Sequence, residues 1–335
     1  METIKPRFSV VIPAYNVEPF IFECVNSVLQ QSFQDFEVII VIDASPDKTI
    51  SICNELALND KRITIIQNQI NKGLVKTRQI GANKAVGDYI LCLDGDDWLD
   101  TNCLESLSSI IDQNDADVIC FGAHFRFSNR VVDHPFLFCS GFLQKKDIID
   151  CVFPRLIQGP LADYFPPSLW GKAFKRNLYL EEQNNVDSRI KIGEDGACVI
   201  PIIYKANSVF CLEKCLYNYR QFNGSMTKSR KVFDIDCPKR IVEHLSSRID
   251  INEYEFRKQL DRKMVHDLFI ASATQFYQKK KYKNVCKELR TIFSDPFYSS
   301  AIKNASFSNS FRAKLMHFSI KHHLFLLIKI YSMLK

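Results

Sequence analysis

The chain has 335 residues, 46% of them apolar, and a net charge of +6. That length suits one large core with an appendage, and no apolar run approaches the roughly 20 residues of a membrane span. Residues 296–335 contain no Asp or Glu but carry Lys303, Arg312, Lys314, Lys321, Lys329 and Lys335, which equals the whole basic excess, so the positive character belongs to the tail and not to a nucleic-acid surface.

Twelve cysteines form no CxxC pair, and Cys24, Cys92, Cys120 and Cys198 fall inside expected strands or helices. Free buried thiols in a reducing compartment follow, with neither a disulfide framework nor a zinc site. The histidines at 124, 134, 244, 266, 317, 322 and 323 have no metal-ligand spacing. No signal peptide is recognised, so a cytoplasmic location is expected.

In chain order, Phe8 to Ile12 reads as a strand broken by Pro13-Ala14-Tyr15-Asn16, and Glu18 to Gln31 has helical apolar spacing. Phe36 to Ile42 is a second buried strand, ending at Asp43. Lys48 to Leu58 reads as helix, Arg62 to Gln67 as strand, and Leu74 to Ala85 as a helix carrying Arg78. Tyr89 to Leu93 is the fourth strand, Thr101 to Ile111 a helix, and Asp117 to Phe127 a long strand. This alternation implies a parallel, doubly wound sheet. The first strand lacks GxGxxG, which disfavours a dehydrogenase, and no Walker A sequence is present.

From Val131 the alternation fails. Short strand-like pieces run to Leu143, a helix is expected near Lys145 to Val152, and prolines cluster from Pro154 to Pro167. Ser168-Leu-Trp170-Gly-Lys172 follows, then Ile192-Gly-Glu194-Asp195-Gly196 opening a buried helix over Ala197 to Tyr204. Val209 to Leu212 and Leu216 to Arg220 read as two short strands. Beyond Ser229 four helices are expected, over Phe233 to Leu245, Tyr254 to Gln278, Lys283 to Phe293 and Phe311 to the end.

The stretch of greatest interest is Asp94-Gly95-Asp96-Asp97, just past the fourth strand. Ligands bind outside the carboxyl ends of strands in open α/β sheets. Two hard oxygen donors there suit Mg²⁺ or Mn²⁺ and, through the cation, a diphosphate. A solvated turn leading to a helix capped by Asp100 or Thr101 is the plainer alternative.

Four motifs in order bear on that choice. Ser9-Val-Val-Ile-Pro-Ala-Tyr-Asn16, Val38-Ile-Ile-Val-Ile-Asp-Ala-Ser-Pro-Asp47, Asn71-Lys-Gly73 with Arg78, and Asp94-Gly-Asp-Asp97 resemble the family 2 glycosyltransferases of the GT-A fold. Trp170-Gly-Lys172, Gly193-Glu-Asp195 and Tyr217-Asn-Tyr-Arg220 resemble the acceptor half of the same family. Three positions depart from the pattern. Ile42 stands where a first acid is frequent, Ala44 where Gly is usual, and Gln79 where Asn is common.

The resemblance implies a GT-A mixed sheet over 1–228, with a nucleotide-sugar half (1–100) and an acceptor half (101–228), then a helical region over 229–335. It implies a metal-dependent hexosyltransferase working by inversion on a UDP-sugar for cell-surface polysaccharide. Pro13, Tyr15, Asn16 and Asp43 would line the base and ribose slot, with Asp43 accepting from the uracil N3–H. Arg78 would pair with base or diphosphate, Asp94 would touch ribose, and Asp96 would hold the cation. Asp195 would be the general base, Glu194 would orient the acceptor, and Trp170 is either a sugar platform or core. A solvated charge at Arg78 and a dipole-complementing pair at 194–195 are the plainer readings. A nucleotidyltransferase or a degenerate nucleotide-sugar-binding scaffold is the alternative function. The tail is expected either to dock on an anionic membrane or to pack on the chain or on a second copy in a homodimer.

Overall fold

The structure, a computed structural model, describes residues 5–222, 231–308 and 310–334. The chain divides into two compact units. One takes in Met1–Ile148, Ser168–Ser188 and Pro201–Asn223, the other Ile149–Pro167, Arg189–Ile200 and Gly224–Lys335. The sequence expectation is a single cut at 228/229, a position outside the described residues. Instead, residues 149–167 and 189–200 group with the C-terminal helices.

The first unit is built on the apolar runs. β1 (Phe8–Ala14), β2 (Phe36–Ile42), β3 (Ile63–Gln67) and β4 (Tyr89–Cys92) are parallel, in the order β3-β2-β1-β4. Residues of β1, β2 and β4 are buried on both faces, which explains runs without polar alternation. Helices α1 (Ile21–Leu29), α2 (Thr49–Asn59) and α3 (Leu74–Lys84) connect them. The chain walks from β1 outward to β3, then returns to place β4 on the other side of β1. That reversal opens a crevice at the carboxyl ends of β1 and β4, the place where open α/β sheets bind ligands.

The sheet then turns mixed. After β5 (Trp98–Leu99) and α4 (Cys103–Asn114) come β6 (Val118–Arg126), β7 (Val131–His134) and β8 (Gly141–Gln144). Next are α5 (Lys145–Asp147), a π turn over Ile148–Val152, β9 (Lys172–Lys175), α6 (Arg176–Asn185), α7 (Glu194–Lys205) and β10 (Ser208–Arg220). The order continues β4-β9-β6-β10-β5, with β9 antiparallel to β4 and β6. β10 is one strand, where two were expected, because its register slips between Leu212 and Tyr217 and lets the Glu213-Lys214 interruption bulge out. α4 starts after Asn102, with no side-chain cap. The expected caps therefore do other work or none, and the Asp100 carboxylate accepts from Asn218 Nδ2 at 2.8 Å.

The second unit is helical, with α8 (Cys237–Arg248), α9 (Phe256–Gln275), α10 (Tyr282–Phe293), α11 (Pro296–Asn304), α12 (Phe311–Lys321) and α13 (Phe325–Leu334). α9 packs against α8, α11, α12 and α13, around a core that includes Leu268, Leu289, Tyr298, Ile320 and Ile328. The expected helix from Phe311 to the end is broken in two at His323, which adopts φ 54°. α11 was not foreseen. Asp295 caps it through Phe297 N–H, with Pro296 in the first turn, an arrangement worth about 1 kcal/mol.

Candidate active site

Four loops meet at the carboxyl ends of the parallel strands, and their polar groups interlock. The β1–α1 loop leaves backbone N–H groups at 16–18, and the β2–α2 loop answers each with a side chain. Asn16 N–H donates to Ser45 Oγ at 2.7 Å, Val17 N–H to Thr49 Oγ1 at 3.3 Å, and Glu18 N–H to Asp47 Oδ2 at 2.9 Å. Glu18 returns the contact by accepting from Lys48 N–H at 3.0 Å. Burial pushes the Asp47 carboxyl up, but hydrogen bonds from Ser45, Thr49 and two backbone amides hold it at about 2. Tyr15 is 51% exposed at the mouth of this loop, Asn16 takes a left-handed φ of 56°, and Pro13 is buried within β1.

Asp43 follows β2 and is buried. Its Oδ1 accepts from Asn68 Nδ2 at 2.7 Å and Lys72 N–H at 2.8 Å, and its Oδ2 accepts from Gly73 N–H at 2.8 Å. Gly73 can present that amide because it adopts φ 84°, which a side chain would strain. Three of the roughly four acceptor positions of the carboxylate are thus used inside the chain.

Arg78 is not a solvated helix charge. It is 2% exposed, and its Nη2 pairs with Asp94 Oδ1 at 2.9 Å. Gly95 lets this turn lie close to β1, since a Cβ there would stand 3.2 Å from the Pro13 carbonyl oxygen. Asp97 points back into the sheet. It accepts from the Tyr217 hydroxyl and from Arg220 N–H, each at 2.7 Å, while the same hydroxyl accepts from Asp94 N–H at 3.3 Å.

Three acids crowd into four residues, and Arg78 pairs with the first of them. Burial first, then repulsion from Asp94, pushes the Asp96 carboxyl up to about 6. Burial, then Asp96 and Asp94, pushes Asp97 up to about 8. Among the described residues no side chain donates to the Asp96 carboxylate, and none groups three metal-ligating side chains. That donor set fits Mg²⁺ or Mn²⁺ held by one or two carboxylates and completed by substrate phosphates and water. A cation would relieve the crowding that now raises Asp96.

Trp170 lies flat on two residues of β10, stacked on Tyr217 at 5.2 Å and Tyr219 at 5.3 Å. It therefore backs the Tyr217–Asp97 contact, and its partly buried ring packs against the core. Arg220, the last residue of β10, is a further residue of the site. Its guanidinium sits 4.4 Å from the Trp98 ring centroid, donates to the Asp96 carbonyl at 2.8 Å and pairs with Glu23. The alternation of Tyr217 and Tyr219 on one strand face is the sequence signal for the Trp170 stack, and it leaves Arg220 on the other face. Glu194 and Asp195 occupy the first turn of α7, within the second compact unit.

The fold is shared with solved structures. The S. aureus TarS fragment 1–349 in complex with UDP-GlcNAc superposes with TM-score 0.68 at 21% identity, covering 97% of this chain and 89% of that one. The mannosyltransferase PcManGT of Pyrobaculum calidifontis, in complex with GDP-Man and Mn²⁺, gives TM-score 0.53 at 16% identity over 98% and 89%. The architecture is GT-A, as the mixed sheet with its switch-point acids implied. In sequence, EpsJ of Bacillus subtilis (strain 168), an uncharacterized glycosyltransferase, is 28% identical over 323 residues, 91% of this chain and 88% of that protein. Residues 9–158 match the Glycosyl transferase family 2 profile.

Proposed function

We propose that the protein moves a sugar from a nucleoside-diphosphate sugar, with UDP as the nucleotide, to a hydroxyl of a glycan or lipid-linked acceptor in cell-surface polysaccharide synthesis. The observation that carries this reading is the Asp94-Gly95-Asp96 turn at the β1/β4 switch point, with Arg78 anchoring one acid and, among the described residues, no side chain donating a hydrogen bond to the other. UDP as the nucleotide is supported by the TarS complex, and a cation by the Mn²⁺ in the mannosyltransferase.

In this reading Pro13, Tyr15 and Asn16 line the base and ribose slot, and Asp43 offers its one remaining acceptor position to the base N3–H. Asp94, fixed by Arg78, receives the ribose hydroxyls. Asp96 would hold a divalent cation, which neutralises charge on the leaving diphosphate. Asp195 takes the proton of the acceptor hydroxyl as its oxygen bonds to the anomeric carbon. The bond from that carbon to the diphosphate breaks in the same displacement, so configuration inverts. Glu194 orients the acceptor, and Trp170 meets it with the ring area that β10 leaves uncovered. A lipid-linked acceptor would place the reaction at the inner face of the cytoplasmic membrane.

Incubating the protein with a panel of UDP-sugars and GDP-sugars, with and without Mn²⁺, tests the reading. Release of UDP from one UDP-sugar, stimulated by Mn²⁺, is expected. Turnover of a GDP-sugar alone would overturn the nucleotide, and no release with any donor in the presence of glycan and lipid-linked acceptors would favour a binding or scaffold role.

A further inference from the structure

The helical unit carries a surface that its own core does not use. α13 buries Phe325, Ile328 and Ser332. Its other side is Leu326, Leu327, Ile330, Met333 and Leu334, spaced i, i+1, i+4, i+7, i+8, so they share one face. Met333 is 69% exposed and Leu334 83%. Single apolar residues on a surface are ordinary, but a helix apolar on nearly every side belongs inside a core or against lipid.

The same face borders a cavity of about 740 Å³, where Leu326 and Leu327 meet Lys283, Lys287 and Arg290, and where no lining residue is acidic. The three basic residues are spaced i, i+4, i+7 and form one exposed row along α10. Lys329 of α13 adds its ammonium 5.3 Å from the Tyr282 ring centroid. The acid of α10, Glu288, is paired with Lys280 at 2.9 Å. α12 repeats the pattern, with exposed Phe311, Leu315 and Phe318 beside Arg312, Lys314 and Lys321.

We propose that this α10–α13 surface docks on an anionic lipid bilayer, with the apolar face of α13 entering the headgroup boundary and the α10 row receiving lipid phosphates. Charge selects the occupant. A second copy of the chain would bring the same row of Lys283, Lys287 and Arg290 against itself, and like charges oppose that contact. An anionic leaflet supplies both the negative charge and the apolar medium. α13 has 10 residues and spans about 15 Å, half a hydrocarbon core, and no helix among the described residues is long and apolar enough to cross one. The docking is therefore interfacial and salt-sensitive. It stands independently of the proposed reaction.

Co-sedimentation of the full chain with phosphatidylglycerol-containing or pure phosphatidylcholine vesicles tests it. The protein is expected to pellet with the anionic vesicles at low salt and to stay in solution with the neutral ones. Two surface variants follow, L326S/I330S/M333S and K283Q/K287Q/R290Q, each checked for unchanged thermal unfolding. Each should lower the bound fraction about tenfold or more. Equal pelleting with both vesicle types, no pelleting with either, or undiminished binding of the apolar-face variant would overturn the proposal. So would light scattering that shows a dimer which the apolar-face variant converts to monomer, since a second copy would then cover the face.

Discussion

The chain places acids at two kinds of element end, and the two settings treat charge in opposite ways. At the end of β4, Asp94, Asp96 and Asp97 crowd into a largely buried turn, so Asp96 and Asp97 are pushed up from the ordinary carboxylate range. At the start of α7, Glu194 and Asp195 are neighbours in the first turn, beside the partial positive charge of a helix N-terminus. The lesson is about division of labour. The strand-end turn is unfavourable until positive charge arrives, which suits binding a cation and a diphosphate. The helix start meets its two acids with the partial positive charge of its own backbone N–H groups.

Substitutions separate these two settings. The largest effect is expected for Asp96→Asn, which should lower turnover about 10³-fold and abolish stimulation by Mn²⁺ while circular dichroism stays unchanged. Full turnover in a folded variant would remove Asp96 from the cation site. Asp195→Asn should cost about 10²-fold in transfer and leave donor affinity within a factor of about 2, read by calorimetry beside steady-state kinetics. Donor binding lost together with activity would erase the contrast between the two sites.

Smaller effects sharpen the strand-end side. Tyr217→Phe removes a hydroxyl that donates to buried Asp97, so the first unit should lose about 1–3 kcal/mol in urea unfolding. A change below about 0.5 kcal/mol would mean that Asp97 does not depend on that contact. Asp47→Ala should cost about 1 kcal/mol by leaving the Glu18 and Thr49 amides without their acceptor. Because the folded Asp47 carboxyl is held at about 2, its contribution is fully present above the unfolded value near 3.9 and is lost as pH falls toward 2. The protection of the Glu18 amide, taken relative to the intrinsic exchange rate at each pH, should fall over that window in the wild type, and unchanged protection would contradict the coupling of the two loops.

The parallel half of the fold was legible because β1, β2 and β4 are doubly buried apolar runs bounded by turn residues, and the less buried β3 is still the β-branched run Ile63-Thr-Ile-Ile66. β9 escaped notice because Lys172-Ala-Phe-Lys175 is short and carries charges at both ends, although Lys172 is buried in the structure. The sheet decides its state, through neighbours β4 and β6 that no local window contains. The tail break at His323 was hidden by continuous helical spacing from Phe311 onward. At the site, the DGDD turn and its neighbours could be named from motif order. The Arg78–Asp94 pair, the Tyr217–Asp97–Arg220 lock and the loop lattice around Asp47 depend on residues 16 to 123 positions apart, which only the folded chain brings together.

Calorimetric titration of UDP into the full-length protein, with and without Mn²⁺ and repeated on Asp96→Asn, tests the strand-end assignment most directly. The wild type should bind UDP more tightly when the ion is present, and the variant should bind with an affinity that the ion no longer changes. UDP affinity that is the same with and without Mn²⁺ in the wild type, or an ion effect undiminished in Asp96→Asn, would contradict a cation-assisted diphosphate site at the end of β4.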